Sequence, residues 1–90
     1  MELTMPEISR FYGIIVAMFF GDHNPPHFHA RYGDEKVVIE IETLRILEGN
    51  LSPRALGLVI EWASQHKTEL LQNWELAKSN QAPRKIKPLQ

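Results

Sequence analysis

The chain has 90 residues, of which 43% are hydrophobic and 23% are charged, and its formal net charge is −1. This size and composition predict one folded domain over residues 1–90, with a flexible start at residues 1–5 and a basic tail at residues 80–90, and they exclude an intrinsically disordered chain. The near-zero charge gives no general preference for a polyanion, and the absence of cysteine excludes disulfides and thiolate metal sites.

The sequence shows neither a membrane-spanning segment nor a secretion signal. Its longest apolar run, FYGIIVAMFF at residues 11–20, has about half the length that a transmembrane helix needs. The first residues, MELTMPEIS, lack the cationic and apolar segments of a signal peptide. We therefore expect a cytoplasmic protein with no membrane partner, and the lack of cysteine fits a reducing compartment.

The apolar run at residues 11–20 predicts the first β-strand. Its aromatic and β-branched residues occupy both parities, which is the pattern of a strand buried on both faces. The turn-forming residues GDHNPP end the run. We expect this strand at the centre of a sheet.

The segments HFHARY and KVVIEIE predict a β-hairpin, because apolar and polar residues alternate in both. A turn centred on residues 34 and 35 places His29 opposite Glu40 and His27 opposite Glu42. A shorter turn moves these partners by two residues but keeps the same faces. A further short strand, RILEG, follows a tight turn.

The pair Ser52-Pro53 predicts the start of a helix, since serine can cap it and proline is favoured in its first turn. Apolar residues recur at helical spacing from there to about Lys78. One helix of that length would measure about 40 Å, whereas typical strands measure about 20 Å. It therefore either breaks near Lys67 or projects towards a partner. The tail SNQAPRKIKPLQ is either mobile or loosely docked.

Together these elements predict an α+β fold. We expect an antiparallel sheet of three to four strands, with one long C-terminal helix packed on one face. His66 lies in the apolar arc of that helix, so we expect it across the sheet from the other histidines. The helical spacing of Trp62 and Trp74 indicates core residues. Leu58, Trp62 and Leu76, however, lie on the flank away from the main arc, and together with the second apolar face of the first strand they give more apolar surface than one helix can cover. This surplus predicts an interface with a second copy of the chain or with another small protein.

The segment DHNPPHFHARYG holds three of the four histidines. His27 and His29 are two residues apart on a predicted strand, so both project from one face, as two metal ligands must. His23 could add a third nitrogen, and Asp22 or Glu40 an oxygen. No cofactor is required by the sequence, but this set suits a divalent metal such as zinc. The simplest alternative is a polar sheet face on which histidines pair with carboxylates.

A metal-free alternative uses the same residues for catalysis. His27 and His29 could act as acid and base while Arg31 or Arg10 holds a phosphate, which is the set needed to cleave RNA through its own 2′-hydroxyl. Tyr12 or Tyr32 could stack on a base, and Arg10 and Tyr12 are the candidate nucleic-acid ligands. The simpler interpretation is that Arg31 is an ordinary charged residue at the sheet edge and that Tyr32 follows the apolar parity of its strand.

Six segments carry a resemblance to a known family: MPEISRFYGI, DHNPPHFHARYG, VIEIET, LEGNLSPRALGLVIEW, HKTELLQNWELA and IKPL. They resemble a small bacterial family known as domain of unknown function 4160 over about Met5 to Leu89, and NPPHFH is the most specific part. Leu44 occupies a turn position where the family often has glycine.

Genes of this family often lie beside a gene for another small uncharacterised domain, an arrangement similar to toxin–antitoxin pairs. The resemblance therefore implies a partner-binding or regulatory module, with the adjacent-gene protein as its partner, and it supplies no established activity or catalytic residue. We accordingly expect a small interaction module. The alternative is a histidine-based metal-binding protein or a ribonuclease-like hydrolase.

Overall fold

A computed structural model describes residues 6–90, so the flexible start expected at residues 1–5 lies outside the described part. It contains five strands and two helices: β1 Glu7–Phe11, β2 Ile14–Ala17, β3 His27–Tyr32, β4 Glu35–Glu40, β5 Ile46–Asn50, α1 Pro53–Gln65 and α2 Lys67–Lys78. All strand pairs are antiparallel, in the order β1-β2-β3-β4-β5. The α+β class is confirmed, but the sheet has five strands instead of three or four.

The apolar run at residues 11–20 does not form one central strand, and that prediction is wrong. Tyr12 and Gly13 turn the chain between β1 and β2, with φ values of 50° and 81°. Two successive residues with positive φ are typical of a two-residue hairpin turn, which pairs Phe11 with Ile14. The central strand of the sheet is β3, which carries His27 and His29.

The hairpin of β3 and β4 has the shorter of the two turns considered from the sequence. His27 pairs with Glu40 and His29 with Val38, so the partners are displaced by two residues and the faces are kept. After β4, Leu44 adopts a φ of 62° and its N–H donates to the carbonyl of Glu40. Glycine adopts this left-handed conformation more readily than leucine does.

The single long helix expected from the sequence is divided into α1 and α2 at His66, whose φ is −130°. The break lies beside Lys67, which is one of the two alternatives that the length argument left open. A continuous helix of about 40 Å would exceed the largest dimension of the fold, 33 Å. Neither helix within residues 6–90 has the length and apolar character that crossing a bilayer requires.

The core lies between the helices and one face of the sheet. Trp62 is fully buried, and its ring centroid lies 5.4 Å from that of Phe11 and 6.0 Å from that of Phe28. Trp62 therefore belongs to the core and is not part of an exposed flank with Leu58 and Leu76, which are themselves half-buried.

The basic tail is docked on the helices and on β1. The side chain of Asn73, which is buried, donates to the carbonyl of Arg84 and accepts from its N–H, both at 2.8 Å. The indole N–H of Trp62 donates to another tail carbonyl, and the N–H of Ile86 donates to the carbonyl of Ile8 at 2.7 Å. The tail thus contacts β1, one of the two edge strands of the sheet.

We expect Asn73→Leu to lower the free energy of unfolding by about 2 kcal/mol. The substitution removes both hydrogen bonds to Arg84 and leaves the buried side of the tail backbone unpaired. Gln72→Leu, at the exposed neighbouring position, should change stability by less than about 0.5 kcal/mol. Urea unfolding measures the free energy of unfolding of both variants. If Asn73→Leu is as stable as wild type, Asn73 does not hold the tail in place.

Candidate metal centre

The loop between β2 and β3 is held in place by its neighbours. The N–H of Gly21 donates to the carbonyl of Ala77 at the end of α2, at 2.9 Å. At the other end of the loop, the carbonyl of Pro26 accepts from the N–H of Ile41 at 3.0 Å. These bonds fix both ends of a segment that would otherwise be mobile, and they position Asp22 next to the start of β3.

Asp22, His27 and His29 form the metal triad, a cluster of three potential ligands. Oδ2 of Asp22 lies 2.7 Å from Nε2 of His27 and 3.4 Å from Nε2 of His29. One ligand atom from each residue lies within 4.8 Å of the other two. The side chains of Asp22, His27 and His29 are 15%, 8% and 24% exposed, so the triad is partly buried and opens to solvent mainly beside His29.

The hydrogen bonds of His27 define its protonation pattern. Nδ1 lies 2.7 Å from the carbonyl oxygen of Pro25, and because a carbonyl only accepts, Nδ1 carries the proton. Nε2 then faces the carboxylate of Asp22. This contact is favourable either when Nε2 is also protonated or when a cation lies between the neutral ring and the carboxylate. A ring N–H donated to a backbone carbonyl is also how metal-binding histidines are commonly oriented.

The electrostatics of the triad favour ligand forms that bind metal. Burial raises the pKa of Asp22, but the backbone N–H of His23 and the ring of His27 outweigh it, so that this pKa lies below its ordinary value. Burial is the largest influence on the pKa of His29 and, together with the nearby His27, holds it below its ordinary value although the Asp22 carboxylate raises it. At neutral pH Asp22 is therefore a carboxylate and His29 a neutral imidazole, as metal coordination requires.

Two aromatic side chains support the histidine rings. The Trp74 ring of α2 packs on His27 at a centroid distance of 5.1 Å. Phe19 packs edge-on against His29 at 4.4 Å. Neither contact follows from a local sequence pattern, because Trp74 lies in α2 and Phe19 lies in the loop after β2, whereas the histidines lie in β3.

His23 and Glu40 do not join the triad. The His23 side chain is 93% exposed, and its Nδ1 lies 3.1 Å from Oδ1 of Asp22, whereas the other two histidines contact Oδ2. Glu40 is opposite His27 on β4, but its carboxylate binds Arg45 at 3.0 Å. Of the two oxygen candidates in the sequence, the structure therefore brings Asp22 to the histidines.

The other residues that the sequence indicated as possible site residues are not members of the triad. Arg31 is two residues beyond His29 on the same face of β3. The guanidinium of Arg10 is paired with Glu7 at 2.7 Å, and Tyr12 is an exposed residue of the β1–β2 turn, at the opposite end of β2 from the triad. His66 is bonded to Glu69 and packs on Trp62; it is not part of the triad.

A comparison with family models matches residues 13–75 to the family described as domain of unknown function (DUF4160). The matched segment runs from β2 into α2 and includes the whole metal triad. No curated protein and no solved structure matches the chain. The match identifies a family without assigning an activity to the triad.

Proposed function

The chain belongs to the family described as domain of unknown function (DUF4160), and we propose that it binds one divalent transition-metal ion, such as zinc, through Asp22, His27 and His29. The observation that carries this proposal is the contact between Nε2 of His27 and Oδ2 of Asp22 in a ring whose Nδ1 already donates to Pro25. A metal ion satisfies both facing atoms and recruits His29 as well.

The donor set has the chemistry that zinc and its neighbours prefer. Two imidazole nitrogens and one carboxylate oxygen supply three ligands and leave at least one coordination position open to water or to another ligand. Tetrahedral zinc with bonds of about 2.1 Å places its ligand atoms about 3.4 Å apart. The Asp22–His29 separation of 3.4 Å already matches, whereas the Asp22–His27 separation of 2.7 Å must open slightly.

Zinc titration of the wild-type protein tests this proposal. We expect one ion per chain by calorimetry, and an increase in the free energy of unfolding of about 2.7 kcal/mol when free zinc reaches 100 times its dissociation constant. The same titration with nickel and manganese measures the metal preference. Absence of binding and of stabilisation at millimolar metal would contradict the proposal.

The metal-free ribonuclease alternative receives less support from the geometry. A two-histidine mechanism needs both rings to exchange protons with the substrate. The His27 side chain is only 8% exposed, and its two nitrogens face Pro25 and Asp22. His29 is thus the more accessible of the two rings, and a hydrolytic role would depend on the open positions of a bound metal.

A second proposed function is partner binding at the edge of the sheet. All five residues of β5 are exposed, and Ile46 and Leu47 expose 39% and 37% of their surface. The opposite edge strand, β1, is contacted by the tail, whereas β5 pairs only with β4 among residues 6–90. An exposed edge with apolar side chains favours the addition of a strand from a partner. That partner is the adjacent-gene protein of a toxin–antitoxin-like pair or a second copy of this chain.

Co-expression with the product of the adjacent gene tests the partner proposal. We expect co-purification with that protein, or a homodimer when it is absent, and loss of either complex in Ile46→Lys, because a charged side chain opposes strand addition. Tyr12→Lys is the control, since Tyr12 is also an exposed hydrophobic residue but lies in the β1–β2 turn, away from β5. A strictly monomeric protein that ignores its neighbour would contradict partner binding.

A further inference from the structure

The sheet face next to the metal triad contains a groove. Its volume is about 300 Å³, and it extends from Phe19 and His29 across β3 and β4 to Glu48. The apolar part of its lining comes from Ile15 and Val38, both half-buried. Because His29 lines this groove as well as the triad, a ligand in the groove can reach a metal ion held there.

Two cations lie directly opposite each other in the groove. Arg31 on β3 pairs with Lys36 on β4, and both line the cavity. Like charges at directly opposite positions destabilise an antiparallel pair. Within the described residues 6–90, neither side chain forms a salt bridge that would offset this repulsion. An anionic ligand bound between Arg31 and Lys36 would offset their repulsion.

An exposed aromatic side chain stands at the triad end of the groove. Phe19 is 36% exposed although its ring also contacts His29. An exposed aromatic ring offers a surface on which a base can stack, and cations beside it neutralise the phosphates of the same strand. Because a duplex keeps its bases paired and stacked, an exposed aromatic ring beside two cations favours single-stranded nucleic acid over a duplex.

We propose that the groove binds single-stranded nucleic acid, with one phosphate on the metal ion, the next between Arg31 and Lys36, and a base on Phe19. His29 and Arg31 are two residues apart on β3, about 6.6 Å along the strand, so one strand can contact both. This inference rests on the proposed metal site, because the first phosphate contact is to the metal. Glu48 is the acidic side chain that lines the groove, and it opposes the binding of phosphate.

Fluorescence anisotropy with a labelled 12-nucleotide oligouridine tests the inference on the zinc-loaded protein at low salt. We expect Arg31→Gln/Lys36→Gln to bind at least tenfold more weakly than wild type and to reduce the salt-dependence slope by about 0.7, because the two side chains share one phosphate and each phosphate contact to a single strand contributes about 0.7. Glu48→Gln should bind more tightly. Arg54→Gln/Lys78→Gln, which removes two exposed helix cations, should bind as wild type does.

Two further probes test the individual contacts. An abasic oligomer of the same length should bind about tenfold more weakly if a base stacks on Phe19, and a matched RNA duplex should bind more weakly than oligouridine. If the abasic strand or the duplex binds as tightly as oligouridine, the groove does not select exposed bases and the inference fails.

Zinc binding, measured in the same samples, separates this inference from the proposed function. The Arg31→Gln/Lys36→Gln variant should still bind one zinc ion. If wild type binds zinc but no oligouridine, or if the groove variants bind RNA unchanged, the nucleic-acid inference is refuted and the metal site stands. If wild type binds no zinc, the proposed function fails and this inference fails with it.

Discussion

Asp22→Asn should weaken zinc binding more than any other isosteric change in the chain. The carboxylate of Asp22 is the only anionic ligand of the triad and contacts both histidines through one oxygen. Loss of a residue that merely orients a ligand typically lowers metal affinity by about 10- to 100-fold, and loss of a charged ligand should cost more. We therefore expect a reduction of more than about 100-fold, measured by competition with a chromogenic chelator.

Asp34→Asn is the matched control, because it makes the same change in charge and size at an exposed position in the β3–β4 turn. Its zinc affinity should equal that of wild type. Far-ultraviolet circular dichroism of both variants should show the wild-type fold. If Asp22→Asn, correctly folded, keeps wild-type affinity, then any zinc that the protein binds is held elsewhere.

Gly49→Ala should have the largest effect on stability. Gly49 lies in β5 with a φ of 71°, and an added Cβ would lie 2.2 Å from the carbonyl oxygen of Lys36 on β4. The obstacle is backbone, so the two strands must separate, and alanine adds strain at this φ. We expect destabilisation by more than about 4 kcal/mol, or failure to fold, because this site combines a steric clash with a strained backbone.

Gly57→Ala supplies the control for the same substitution in α1. Nothing lies within 4 Å of the Cβ that it would add, and this exposed helical position has no positive φ. It should be more stable than wild type by about 0.5–1 kcal/mol, since alanine favours helix more than glycine does. The melting temperature should therefore fall in Gly49→Ala and rise in Gly57→Ala, relative to wild type. Equal stability of Gly49→Ala and wild type would contradict the close approach of β4 and β5.

The parts of the fold that follow a clear period were predictable from the sequence. The alternation in HFHARY and KVVIEIE gave the faces of β3 and β4, and helical spacing gave the helical extent of residues 53–78. The length limit left two alternatives, a break near Lys67 or a projecting helix, and the structure has the break. The hairpin of β1 and β2 could not be predicted from the sequence, because its turn residues, Tyr12 and Gly13, lie inside a continuous apolar run. Tyrosine at the first of two positive-φ positions is not a typical turn signal.

The candidate site was predictable in part. The spacing of His27 and His29 gave two ligands on one face of a strand, because side chains alternate along a strand. The choice between Asp22 and Glu40 depended on tertiary contacts, since Glu40 occupies the position opposite His27 but is bound to Arg45. The hydrogen bond from Gly21 to Ala77, which anchors the β2–β3 loop to the end of α2, also could not be predicted from a local sequence pattern.

Nitrogen-detected NMR of the four histidine rings during zinc titration tests the metal centre most directly. We expect Nε2 of His27 and of His29 to shift on binding one equivalent, while Nδ1 of His27 keeps the proton that it donates to Pro25. His66, which is bonded to Glu69, should stay unchanged. Shifts of His66 alone, or no shift of His27 and His29 at millimolar zinc, would contradict the metal centre.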